Sequence, residues 1–400
     1  MSTSGLRPIP GTRPLPAEAE VVVVGGGVMG ASIAFHLAEA GVRDVLLLER
    51  DALASGSTSK AAGGVRAQFS DALNVQLGAR SLEAFERFGQ RPGGEIDLHQ
   101  VGYLFLLTTP QDVAVYEASV ALQNELGVAS RMLGRAEAAA LAPIVSMDDV
   151  LAAAFHPRDG YCTPESVVQG YAAGARRLGA TVLSGIEVTG IEVMDGEIRS
   201  VTTAHGPVAT SVVICCAGPW SAALGDLAGV ELPVTPLRRQ ILVTEPLSPT
   251  LLSLAPATMP MTIDAASTFY LHSEGPGMLF GMSYLDEQPG FELSLSDDWL
   301  PSLNEAMERR APALLDAGIA HGWAGLYEDS PDHNAIIGEA TSVSRFLYAT
   351  GFSGHGFLQG PAVGEILRDL YLGREPFVDI SPMSADRFAV GAARPEHNIV

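Results

Sequence analysis

Apolar and polar residues repeat along this chain with two different periods, and the points where the period changes mark its elements. Four consecutive valines at positions 21–24 run straight into Gly25-Gly26-Gly27. A short apolar run bounded by glycine fits a strand buried on both faces. Small apolar residues then continue with helical character over 31–40, and a second apolar run, Leu46-Leu47-Leu48, ends at Glu49. Leu73, Leu77, Leu82 and Phe85 have helical spacing within 71–88, and 101–107 reads as a strand. Alanine-rich amphipathic stretches follow, broken at Pro143. A helix over 164–178 is predicted to start after Thr163. Strands are predicted over 181–183, 186–194 and 197–203, with Asp195-Gly196 as a hairpin turn. The apolar run 211–215 ends at Ala217-Gly218-Pro219-Trp220. The region 233–326 is strand-rich and punctuated by proline, with sheet at 269–272 and 278–283 and a helix at 299–310. A last strand, 346–350, enters Gly351-Phe352-Ser353-Gly354-His355-Gly356-Phe357. The helix beyond it carries Val363, Ile366, Leu367, Leu370 and Tyr371 on one face. No internal repeat is present, and the polar tail beyond Gly373 reads as peripheral.

This succession places the chain in the α/β class. A doubly wound, Rossmann-type domain is expected from 20–88, 148–232 and 327–375. It is interleaved with a mixed β-sheet (α+β) domain from 89–147 and 233–326, between a loose N-terminal arm (1–19) and a C-terminal tail (376–400). The length agrees, since 400 residues with 47% hydrophobic content exceed one ordinary domain.

The first strand, turn and helix have the chemistry of a dinucleotide cradle. In Gly25-x-Gly27-x-x-Gly30 the first glycine permits the tight turn and the second lets backbone N–H groups reach a pyrophosphate at the helix N-terminus. The third allows close helix–strand packing. Glu49 ends the second strand, where a carboxylate can bond a ribose 2′-hydroxyl and reject a 2′-phosphate.

Charge narrows the partners. A net charge of −22 argues against nucleic acid and anionic membrane surfaces, but not against a small carboxylate beside one buried arginine. Lys60 is the one lysine among 24 basic residues. Three cysteines, Cys162, Cys215 and Cys216, have neither disulfide nor metal spacing. No apolar run approaches the ~20 residues of a membrane span, and the chain reads as soluble and cytoplasmic, with no metal.

In their order along the chain, Gly25–Gly30 with Glu49, the small-residue loop ending in Gly63-Gly64-Val65-Arg66, Cys216-Ala217-Gly218-Pro219-Trp220, the segment from Trp323 to Asp332 and Gly351–Phe357 resemble the amino-acid oxidase superfamily of flavoproteins. That superfamily includes sarcosine oxidase, dimethylglycine dehydrogenase, glycine oxidase and D-amino-acid dehydrogenases. The resemblance implies non-covalent FAD held by Gly25, Gly27, Val28, Met29, Gly30, Glu49, Arg50, Ser57, Thr58, Ser59, Lys60, Val188, Ala217, Gly218, Trp220, Gly325, Gly354, His355, Gly356 and Phe357. It further implies that Arg66 grips a substrate carboxylate, that His355 lies near the substrate amine, and that Tyr270 and Lys60 belong to the reaction site.

Departures from the pattern carry information too. The positions that bind FAD covalently in several relatives correspond to Gly325 and Lys60, neither able to form the usual linkage. The lysine that promotes reaction with oxygen is missing from Gly277-Met278-Leu279-Phe280, and a second carboxylate-binding lysine is Leu358. The expected activity is oxidation of the C–N bond of a secondary, N-methylated or cyclic amino acid, with oxygen or an electron-transfer protein as acceptor. A D-amino-acid or glycine oxidase or dehydrogenase, and a flavin-binding subunit or assembly factor of a hetero-oligomer, are the competing readings.

Overall fold

The computed structural model describes residues 14–396. Its first sheet has six strands in the order Ile336–Glu339, Phe346–Thr350, Val213–Cys215, Val21–Val24, Val45–Glu49, Thr181–Ser184. All neighbours are parallel except the edge strand Ile336–Glu339. Val21–Val24 lies in the middle, and all four valines are buried on both faces of the sheet. Each buried valine contributes roughly 1.5–3 kcal/mol relative to an exposed one, which explains why a four-residue run suffices to place the strand. The helices Val28–Glu39, Pro164–Arg177, Ala72–Glu86 and Gly356–Tyr371 pack together in one apolar core against this sheet. The other face is covered by a meander of Val188–Met194, Glu197–Thr203 and Gly206–Ala209. Asp195 and Gly196 both have positive φ at its first turn, as expected.

The second sheet has eight strands in the order Ile319–Asp329, Thr235–Thr244, Gly277–Met282, Tyr270–Glu274, Met261–Asp264, Tyr103–Leu107, Ala152–His156, Arg131–Leu133. It is mixed, with Met261–Asp264 parallel to Tyr103–Leu107 and its other neighbours antiparallel. Two of its strands cross the expected boundaries: Ala152–His156 lies beyond 147, and Ile319–Asp329 runs past 326. Cross-strand pairing, which hydrophobic periodicity does not report, decides sheet membership.

Both ends of the described chain correct the sequence reading. Residues 1–13 of the expected loose arm lie outside the described residues. From there on, Ala19 donates to the Ala209 carbonyl and Ala209 to that of Ala17, so this segment is pinned to the meander. The tail is polar without being peripheral. Arg387 is buried and donates to both carboxylate oxygens of Asp332, at 2.9 and 2.8 Å. Glu396, also buried, accepts from the Ser70 amide and the Asn74 side chain at 2.9 and 2.8 Å. Its polar residues are there to satisfy buried charges.

Candidate active site

The middle strand of the first sheet ends where its neighbours diverge, one continuing to Glu49 and the other to Cys216. Such a switch point is where open α/β sheets hold ligands. A cavity of about 670 Å³ opens there and is walled on its other side by the second sheet.

The glycine turn is built for close approach. Gly25 has φ +113°, and a Cβ on it would lie 2.2 Å from the Cys216 carbonyl oxygen. A Cβ on Gly30 would lie 1.9 Å from the carbonyl of Gly25, so this glycine sets how closely the helix packs on the turn. No side chain caps the helix at Gly27, and the Val28 N–H meets the Thr58 hydroxyl at 3.1 Å. Glu49 accepts from the amides of Gly26 (2.6 Å) and Asp51 (2.8 Å). A carboxylate has about four acceptor positions, so it retains capacity toward the cavity it lines. At the rim the Arg50 guanidinium lies 3.9 Å over the Trp220 ring, which also stacks on Phe291 at 5.6 Å. At the far end the sixteen-residue helix Gly356–Tyr371 starts at the cavity wall without a side-chain cap. Its aligned peptide dipoles favour negative charge at that point.

The expected site residues converge here. All of them line the cavity except Gly30, which packs beneath the turn, and Ser59. Ser59 belongs to the 3-10 turn Thr58–Lys60, with its amide on the Ala54 carbonyl, whereas its neighbours Ser57, Thr58 and Lys60 line the cavity. Ser57 donates to the Leu326 carbonyl at 2.6 Å, tying this loop to the second sheet. Lys60 lies against Gly325, where an added Cβ would come 2.5 Å from the Lys60 Cβ. Tyr270 is buried, and burial raises its phenol well above the ordinary value.

Arg66 and His355 are partners in the interior. Arg66 is 3% exposed and donates to the Gln68 carbonyl and, at 3.1 Å, to Nε2 of His355. The guanidinium rests 4.2 Å from the Phe69 ring, which also meets His355 edge-on at 5.2 Å. Arg66 has no proton acceptor of its own, so Nε2 of His355 accepts and the imidazole carries its proton on Nδ1. Burial first, and the Arg66 charge second, hold His355 well below its ordinary pKa, and the ring is neutral. Behind them, Asp159 accepts from the Ala67 amide (3.0 Å), the Gln68 side chain (3.1 Å) and His156 (2.6 Å), which fixes the extended segment that carries Arg66 just beyond the strand Gly64–Val65.

Sequence reasoning missed Arg239, Tyr327, Glu328 and Tyr103, which also line the cavity. Tyr327 and Glu328 belong to the Trp323–Asp332 motif. Arg239 left a fainter signal, two adjacent arginines within the strand Thr235–Thr244, just before its apolar run Ile241-Leu242-Val243.

A switch-point cradle, an acid at the second strand and a roof made by a mixed sheet define a dinucleotide-dependent α/β protein of the two-sheet type. The chain belongs to the family of FAD dependent oxidoreductases, whose DAO profile matches residues 20–370. It is 30% identical over 408 residues to mitochondrial dimethylglycine dehydrogenase of Rattus norvegicus, covering 97% of this chain and 47% of that protein. It thus spans about half the length of that relative. Among solved structures it is similar to L-proline dehydrogenase from P. horikoshii, with a TM-score of 0.88 at 31% identity over 95% of this chain and 100% of that one. Glycine oxidase from Geobacillus kaustophilus gives a TM-score of 0.81 at 25% identity, covering 93% of this chain and 99% of that one. The residues present fit FAD, the family's cofactor: the glycine cradle, Glu49 and the uncapped start of Gly356–Tyr371 each match a part of it. No helix among the described residues is long and apolar enough to cross a membrane.

Proposed function

We propose that this chain oxidises the C–N bond of a secondary, N-methylated or cyclic amino acid, using dissociable FAD. The observation that carries this reading is the buried Arg66–His355 pair on a cavity wall shared with the uncapped start of Gly356–Tyr371. FAD supplies the acceptor for a hydride from the carbon bonded to nitrogen. A secondary amine nitrogen also releases a proton to leave an imine, whereas a tertiary one leaves an iminium ion, and water hydrolyses either to a carbonyl compound and an amine. Oxygen or an electron-transfer protein takes the two electrons onward.

The protein's share is placement and charge. Arg66 offers a fixed planar donor to a carboxylate, and neutral His355 holds it in orientation while adding no second positive charge. The first-turn amides of the last helix favour the negative charge that builds up as electrons arrive. Buried Tyr270 and Tyr103 line the cavity and help keep water out. With Gly325 and Lys60 at the positions of covalent attachment, FAD is expected to leave the protein on acid precipitation. The names of two relatives, which concern dimethylglycine and proline, support this substrate class, whereas that of the glycine oxidase accords with the competing reading. The three cysteines are free and buried, which supports a reducing compartment.

The test is an anaerobic flavin spectrum titrated with primary, secondary and tertiary amino acids. Bleaching by N-alkyl or cyclic amino acids, weakened at least tenfold in Arg66→Ala by loss of a charge-assisted bond of about 1.5–3 kcal/mol, is the expected result. Bleaching by D-alanine or glycine alone would move the reading to the competing oxidases. Absence of bleaching by any amine, with FAD bound, would overturn it in favour of a subunit role. Re-admitting air then separates oxidase from dehydrogenase.

A further inference from the structure

Arg238 and Arg239 are adjacent on Thr235–Thr244, so their side chains leave opposite faces of the sheet. Arg238 has ordinary structural partners. It donates to Glu287 at 3.0 Å and to the Ser294 carbonyl at 2.9 Å, tethering the loop that carries Leu293 to the cavity rim. Arg239 faces the cavity. It pairs in register with Gly325, which has no side chain to cover it, and its guanidinium lies 5.1 Å from the centre of the Tyr327 ring. One terminal nitrogen donates to the Arg238 carbonyl at 3.1 Å. Its Nε is buried and has no hydrogen-bond partner among the described residues.

A structural arginine in this chain would have little difficulty finding a carboxylate, since acidic residues number 46 against 24 basic ones. A guanidinium braced on an aromatic ring, with a buried donor edge toward a cavity, has the form of a preorganised anion fork. Arg66, Arg239 and Tyr327 line the same cavity, so both cations face it. Burial raises the Asp329 carboxyl above its ordinary value, and the nearby Arg239 charge offsets only part of that rise.

We infer that Arg239 receives a carboxylate of the substrate and makes this a two-arginine pocket, selective for amino acids over simple amines. The inference rests on the amino-acid reading above and assigns recognition to a residue outside the motifs that led to it. The carboxylate is either the one next to the reacting carbon or a second one on the nitrogen substituent, and the experiment separates these sources.

The experiment uses the FAD-loaded protein and two readouts. Flavin spectral shifts with tetrahydrofuran-2-carboxylate and with its amide report binding without turnover, and anaerobic reduction by proline against prolinamide reports the productive complex. In Arg239→Gln the carboxylates are expected to bind about 10- to 100-fold more weakly, the range for losing a charge-assisted hydrogen bond, with the amides changed less than about threefold. Arg239→Lys, which keeps the charge and loses the fork, is expected to fall between. Equal losses for N-methylglycine and N-carboxymethylglycine identify the carboxylate next to the reacting carbon; a loss confined to the latter identifies the second. Unchanged binding of every acid, or equal losses for acids and amides, overturns the inference. If Arg239→Gln does not retain FAD, the same acid-against-amide comparison in Arg239→Lys decides. Failure of the underlying reading looks different: wild-type flavin is then reduced by no amine, whatever the acid titration shows.

Discussion

Glu328 is a carboxyl group whose ionisation the fold opposes. It lines the cavity beside Gly356 and accepts from the Thr350 hydroxyl (2.8 Å) and the Gly351 amide (3.2 Å). Burial raises its pKa from 4.5 to about 7, and those hydrogen bonds offset only part of that effect. The folded-state pKa lies above the unfolded one, so the stability this group contributes is complete below 4.5 and is lost as pH rises through about 7. Thermal unfolding of the FAD-free protein is therefore expected to show Tm falling between these values, with the fall reduced in Glu328→Gln. An unchanged slope in the variant would remove Glu328 from the account. Arg66 and His355 show the same dependence on surroundings. They are 289 positions apart, and only the fold brings them within 3.1 Å of each other.

At the scale of elements, two predictions separate the cradle from the scaffold. Gly30→Ala puts a methyl group against the Gly25 carbonyl, where helix and turn must separate to admit it. Overpacking of this kind costs about 1–3 kcal/mol, and FAD affinity should fall roughly in step. The ratio of flavin to protein absorbance, with far-ultraviolet circular dichroism as a check on folding, measures it. The tail acts as a strap across the start of Ala72–Glu86. Arg387→Ala leaves Asp332 buried without its partner, and stability should fall by about 3–5 kcal/mol in urea unfolding. Arg158→Ala, which breaks an exposed pair with Glu86, should cost under about 1 kcal/mol. Equal effects would mean that the tail pairing carries no stability. The strap also shows why composition misleads: a polar segment looks peripheral in sequence, whereas buried Asp332 and Asn74 need polar partners.

Across the whole molecule, the cavity exists because two sheets meet. The first contributes the cradle and the second contributes Arg239, Tyr270, Gly325 and Tyr327, so no contiguous stretch of chain contains the site. What the sequence determined by itself was local. Val21–Val24, the glycine turn, Glu49 and the turn into Gly356–Tyr371 are readable because burial pattern, turn chemistry and helix starts depend on neighbours a few residues away. Those stretches were enough for the α/β class and for one wall of the cavity. What only the tertiary structure decided was non-local. Pairing along the second sheet put Arg239 opposite Gly325, and the strap brought Arg387 to Asp332. The physical reason is that each arginine looks alike in sequence. Whether it ends up ion-paired, stacked or facing a cavity depends on which distant strand or helix packs beside it.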